Sequence, residues 1–157
     1  EPVVTGFDFH GIDSAIPSQA FRRAMKDENL ACILICPSNP FVSVDPVMSI
    51  PGVMQTMAAV RAPVIAVSPI VAGLAIKGPA AKMMKELGMP QTALAVAEHY
   101  QDRIDGFVID DVDAEMKSEI EALGIKVLVT STVMMSLQDR IDLAASCLGF
   151  AQKLLSE

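Results

Sequence analysis

Four short apolar runs recur along the chain with helix-length stretches between them: residues 30–36 (LACILIC), 64–67 (VIAV), 106–109 (GFVI) and 126–129 (KVLV). A strand covered on both faces is apolar throughout, whereas a half-buried strand alternates. The intervening segments 17–26, 50–60, 78–87, 92–100, 114–123 and 137–155 read as helices. Pro17, Pro51 and Pro79 fall at first turns, where a missing N–H costs nothing, and Gly88 and Gly124 fall where helices stop. Strands separated by helices of this length need crossover connections, which make them parallel. The expected fold is therefore α/β, a mostly parallel sheet with helices on both faces in a Rossmann-like arrangement. Residues 3–9 (VVTGFDF) read as a further strand. No linker, repeat or low-complexity segment divides the chain, so 1–157 reads as a single unit.

Hydrophobic residues make up 52% of the 157 and charged residues 20%, enough apolar material for a substantial core. The formal charge of -7, from 12 basic against 19 acidic residues, argues against a nucleic-acid partner, though a local basic pocket can still hold a small anion. The apolar runs stop well short of the roughly 20 residues a membrane helix needs, so no membrane partner is expected. Cys32 and Cys36 lie four apart in one expected strand, about 13 Å at about 3.3 Å per residue, too far for a disulfide. With Cys147 in an expected helix and no close Cys or His partner, the three cysteines read as buried apolar thiols of a reducing compartment, and the expected location is the cytoplasm. The first residue, Glu1, is not a methionine, and the chain is expected to be a piece of a longer protein.

Open α/β sheets bind ligands beyond the carboxyl ends of their strands. The loop after the first apolar run holds Pro37, Ser38, Asn39 and Pro40, with Ser43 three residues on. Its hydroxyl, amide and main-chain groups suit a phosphate or a base edge, or they bond the local backbone of a proline-rich turn. A second candidate is Lys77, Gly78 and Lys82, where a glycine leads into a helix start flanked by lysines; it is an anion site or two solvated lysines. No Walker A loop or G-x-G-x-x-G is present. Asp110, Asp111 and Asp113 follow the 106–109 run; such carboxylates hold Mg²⁺ beside a diphosphate, or Asp111 or Asp113 is the N-cap of the helix that follows with the others near its positive end. Neither His10 nor His99 has a Ser or Cys partner at a catalytic spacing.

These loops resemble the 2-phospho-L-lactate transferase family of coenzyme F-420 biosynthesis. The matching stretches are PSNPFVS (37–43), IPGV (50–53), APVIAVSPIVAG (62–73), KGPAAKMMKELG (77–88), DGFVIDDVDA (105–114) and ALGIKVLVT (122–130). Two positions depart from the family: Asp45 stands within Val-Asp-Pro where Ile-Gly-Pro is usual, and Ser131 follows Thr130 where an Asp is common.

The resemblance covers the carboxyl-terminal half of the family's chain and implies that this is part of a longer Mg²⁺-dependent transferase. It implies transfer of a phospholactyl or enolpyruvyl-phosphoryl group from a guanosine diphosphate donor to a deazaflavin hydroxyl, with release of GMP. Ser38, Asn39 and Ser43, with Lys77, Gly78 and Lys82 as secondary candidates, are assigned to the nucleotide or its phosphates. No catalytic or metal-ligating residue can be placed on this sequence, because those residues of the family lie in its other half. The alternative is a related family of nucleotide-sugar-binding regulators without catalysis. An exposed sheet edge or apolar patch would favour a homodimer.

Overall fold

A computed structural model describes residues 2–76 and 78–156. Helix α1 (Gln19–Ala24) opens with Ser18, whose hydroxyl accepts from the N–H of Phe21, an ordinary N-cap. It leads into β1 (Ile33–Ile35), and a single π-type turn then runs into α2 (Asp45–Met48) and α3 (Val53–Ala58). Next come β2 (Val64–Val67), a small hairpin of β3 (Ile70–Val71) and β4 (Leu74–Ala75), and helices α4 (Ala80–Glu86) and α5 (Ala93–Tyr100). The chain closes with β5 (Gly106–Ile109), a 3-10 segment leading to α6 (Lys117–Glu121), β6 (Lys126–Val129) and the 20-residue α7 (Leu137–Ser156).

The main sheet has the order β1-β2-β5-β6 with every pair parallel, in a register that places Ile33 beside Val64, Ile65 beside Gly106, and Gly106 beside Lys126. This is the expected α/β, Rossmann-like arrangement. Residues of β2 and β5 such as Ile65, Ala66, Phe107 and Val108 are fully buried, which is why these runs carry no polar alternation. Val64, Ala66, Phe107, Ile109 and Val127 point to one face and meet Met57, Met84, Val96 and Ile120 of the crossover helices. Ile65, Val67 and Val108 point to the other and meet Leu143, Cys147, Phe150 and Ala151 of α7.

Two expectations are corrected. Residues 3–9 form no strand. The segment finds no ladder partner and lies instead over the crossover helices: Phe7 stacks on Phe41 with centroids 5.4 Å apart, and the N–H of Val4 donates to Glu86 at 3.0 Å. Strand-like composition has no force without a neighbouring edge to pair with. The segment 68–76, which the sequence pattern assigns to neither strand nor helix, contains the β3–β4 hairpin. Its turn residues Ala72 and Gly73 both have positive φ (50° and 75°), as a two-residue hairpin turn requires.

Gly106 is where α7 comes closest to the sheet. A Cβ there would lie 2.7 Å from a ring carbon of Phe150 and 3.1 Å from a methyl of Leu154. Gly106→Ala is expected to lower unfolding free energy by about 1–3 kcal/mol through overpacking, measured by urea denaturation; an unchanged midpoint would show that α7 shifts freely.

Candidate functional site

All four parallel strands deliver their carboxyl ends to one edge of the molecule, and a cleft of about 330 Å³ opens there. Pro37 and Asn39 come from the loop after β1, Ser68 and Pro69 from the loop after β2, and Thr132 and Met134 from the loop after β6. Arg140, in the first turn of α7, supplies its cation. A larger hollow of about 460 Å³, between Lys26, Leu30 and Arg61, lies before β1 and β2 at the amino ends of the strands. That is the end of a parallel sheet at which ligands are not taken, so the smaller cleft is the candidate site.

The walls are fixed by side chains bonded to backbone. Ser68 is buried, with its hydroxyl accepting from the N–H of Ile70 at 3.2 Å and donating to the carbonyl of Ile70 at 2.8 Å. The Asn39 carbonyl accepts from the N–H groups of Phe41 (3.0 Å) and Val42 (3.3 Å), capping the π-type turn Pro40–Val44. Behind the cleft, one oxygen of buried Asp110 accepts from the N–H and hydroxyl of Thr132 at 2.7 and 2.9 Å, and the other accepts from the N–H of Val112 at 3.2 Å. Burial raises the Asp110 carboxyl, but donors from Thr132, Val112 and Val133 together outweigh it and hold the group below the ordinary carboxylate range. Asp113 accepts from the N–H of Ala72 at 3.2 Å and so ties the hairpin turn to the loop after β5. Burial, with Asp110 and Glu115 nearby, pushes Asp113 up against that single donor.

These bonds favour capping over metal binding, but at a different residue from the one expected: Asp110, not Asp111 or Asp113, caps the 3-10 segment, and Asp113 is turned to the hairpin instead. Among the described residues no group of three His, Cys, Asp or Glu side chains is arranged to hold a metal ion, and Asp110 and Asp113 have their oxygens turned to backbone donors. This stretch does not fit Mg²⁺.

The six residues assigned to nucleotide or phosphate disperse. Asn39 lines the cleft. Ser38 is half-buried beside it, with its N–H donated to the carbonyl of Cys36, and Ser43 is exposed on the π-type turn. Gly78 is exposed with a φ of 77° just before α4. Lys82 pairs with Glu86 at 2.7 Å and donates to the carbonyl of Pro2, so its charge ties down the amino-terminal segment. Lys77 lies outside the described residues. The unusual Asp45 accepts from Nε2 of His99 at 2.9 Å and from Arg103 at 3.1 Å, which answers its charge and gives His99 its partner.

Sequence reasoning missed Arg140, which makes none of the ion pairs seen among the described residues. A signal was present. Ser136 and Asp139 form a reciprocal cap, the Ser136 hydroxyl accepting from the N–H of Asp139 at 3.2 Å and the Asp139 carboxylate from the N–H of Ser136 at 2.6 Å. This S-x-x-D pattern starts α7 and sets the next residue, Arg140, at the rim.

The Asp110 contacts make stability pH-dependent. A carboxyl held low in the folded state contributes fully above its ordinary pKa of about 4, and the contribution is lost as pH falls through the lower folded value. Thr132→Val removes the hydroxyl donor and keeps the backbone one. It is expected to cost about 1–3 kcal/mol at neutral pH and to move the acid limb of unfolding to higher pH; denaturation between pH 2 and 7 checks both, and an unmoved acid limb would remove the assigned role.

Comparison with known proteins gives the family of the chain, over a stretch that takes in the cleft's residues up to Met134 and not Arg140. The family model for 2-phospho-L-lactate transferase CofD matches residues 9–134. The chain is 36% identical over 149 residues to the 2-phospho-L-lactate transferase of Methanosarcina barkeri, covering 95% of this chain and 47% of that protein. It is 38% identical over 145 residues to that of Methanosarcina mazei, covering 92% and 46%. With the phosphoenolpyruvate transferase of Kitasatospora aureofaciens the identity is 33% over 145 residues, covering 92% and 44%. The chain thus spans about half the length of the curated relatives it matches. A parallel α/β sheet, a cleft at its carboxyl edge and a family match across most of the described residues converge: this chain belongs to the 2-phospho-L-lactate transferase family.

Proposed function

We propose that this chain supplies the donor-binding half of a transferase that moves a phospholactyl or enolpyruvyl-phosphoryl group from a guanosine diphosphate donor to a deazaflavin hydroxyl, releasing GMP, in coenzyme F-420 biosynthesis in the cytoplasm. The carrying observation is the cleft itself: apolar walls of Pro37, Pro69 and Met134 with Arg140, the cation among the described residues that line it, at the rim. That combination suits a flat base and an anionic group on one ligand. Phosphoryl transfer of this kind rests on alignment and charge stabilisation, and Arg140 is placed to contact phosphate oxygens.

The volume also bears on the division of labour. Small-molecule sites span about 300–1,000 Å³, and about 330 Å³ accommodates one of two sizeable substrates. The deazaflavin, and Mg²⁺ with its ligands, therefore belong in this proposal to the part of the relatives' length that the chain does not span.

Titration calorimetry with GDP tests the reading. Arg140→Ala is expected to weaken binding roughly tenfold or more, the value of a charged hydrogen bond, with Arg140→Lys intermediate and Ser43→Ala without effect. Unchanged affinity in Arg140→Ala overturns the assignment, and tighter binding of a nucleotide sugar than of GDP favours the regulator. Mixed with donor, deazaflavin and Mg²⁺, the 157-residue chain alone is expected to release no GMP; turnover would show that the chemistry lies within it.

A further inference from the structure

An asparagine side chain offers an oxygen that accepts and a nitrogen that donates twice, and which of the two a cleft receives decides what it can bind there. At Asn39 the local backbone makes the assignment. The N–H groups of Phe41 and Val42, 3.0 and 3.3 Å away, both need an acceptor, so the oxygen is held toward the π-type turn and the nitrogen lies on the other side of the amide. Turning the amide over would set the nitrogen against two donors and leave both backbone groups unpaired.

On that other side the Asn39 nitrogen donates to the sulfur of Met83 at 3.3 Å, across 44 positions of sequence. Met83 stands in the middle of α4, a helix fixed to the core by the fully buried Ala80 and Met84, and it packs partly against the same core itself. Asn39 lines the cleft, whereas Met83 is not among the described residues that do. A thioether sulfur is a weak acceptor, so this contact aims the amide without holding it as a carbonyl would. The torsion that turns an asparagine amide is broad, and an amide bonded at one end alone would sweep a wide arc. Bonded at both ends, Asn39 is confined to one orientation. The second N–H of its nitrogen makes no hydrogen bond among the described residues.

We propose that Met83 is a positioning residue of the cleft: with the Asn39 oxygen committed to the turn and one N–H committed to the Met83 sulfur, the remaining N–H is presented to a hydrogen-bond acceptor of the bound ligand. A ligand that offers a donor at that point is refused, because the Asn39 oxygen is already taken and cannot turn to meet it. Arg140 is likewise a donor only, so the two side chains select in the same direction. A nucleoside diphosphate satisfies this chemistry from either of two parts, the acceptor atoms of its base or its phosphate oxygens. In naming the ligand's chemistry the inference rests on the donor reading given above; the aiming of the amide by Met83 rests on the hydrogen bonds alone.

The test follows the Asn39 side-chain amide by heteronuclear NMR and measures affinity by calorimetry. Met83→Leu conserves volume and removes the acceptor, while Met83→Gln restores an acceptor at similar reach. In the free chain Met83→Leu is expected to shift the Asn39 Nδ2 resonance and one of its two protons, with backbone amide exchange at Phe41 and Val42 unchanged to within about twofold. Affinity for GDP is expected to fall roughly two- to tenfold in Met83→Leu, the weight of one neutral hydrogen bond, and to return to within about twofold of the unaltered chain in Met83→Gln. Asn39→Asp keeps an oxygen on the turn but puts an acceptor where the donor was, and is expected to lose roughly tenfold or more. Guanosine and pyrophosphate, titrated separately, locate the acceptor: the one that shifts the Asn39 resonances carries it. Four outcomes overturn the proposal: Asn39 resonances that are the same in Met83→Leu as in the unaltered chain, resonances that bound GDP leaves in place, equal affinities in Met83→Leu and Met83→Gln, or an Asn39→Asp chain that binds GDP as tightly as before. If the unaltered chain binds none of the three ligands, the donor reading has failed, and the free-chain resonances alone decide the role of Met83, a shift upholding it and its absence overturning it.

Discussion

A parallel ladder cannot be closed by a tight turn. Each strand after β1 must be reached by a crossover, and every crossover returns the chain to the same end of the sheet. The loops after β1, β2, β5 and β6 are thereby gathered on one edge although they are separated by up to about a hundred positions in sequence. The complete burial of β2 and β5 holds this arrangement together, because both faces of this central pair would expose apolar surface to water if either layer of helices were removed. The cleft, the acidic capping run and the start of α7 are consequences of that gathering.

Given the gathering, the polar residues at the carboxyl edge divide into those that build walls and those that face the opening. Ser68, Asn39, Asp110 and Asp113 have side-chain oxygens bonded to nearby N–H groups. They stabilise loops that would otherwise leave buried backbone donors unpaired. Arg140 is different in kind, a cation outside the ion pairs of the described residues and set at the rim. Lys82 shows the opposite: beside a glycine that leads into a helix it resembles a phosphate ligand, yet Glu86 one turn on and the carbonyl of Pro2 take its charge.

Not every apolar residue is covered. Scattered exposed leucines are ordinary on any protein. Ile141, Leu148 and Leu155 are not scattered, since a seven-residue spacing puts them on one line of α7, and Leu34 of β1 is also uncovered. Part of the hydrophobic content that the composition assigned to a core lies on this surface instead.

By itself the sequence determined the alternation of strands and helices, the bounds of β2, β5 and β6, the parallel class and the family. These follow from local pattern: a doubly buried strand must be apolar throughout, and a helix of ten or so residues between two such runs forces a crossover. It did not determine that residues 3–9 lack a partner strand, that Ala72 and Gly73 turn a hairpin, or that Asp45 meets His99 and Arg103, because each depends on what a distant segment brings alongside. The site followed the same division. That a cleft opens among the loops after the strands could be read from topology, but that Arg140 lines it while Lys82 is paired with Glu86 was set only in three dimensions. A charge is available to a ligand only if no neighbour takes it first, and neighbours are set by the fold.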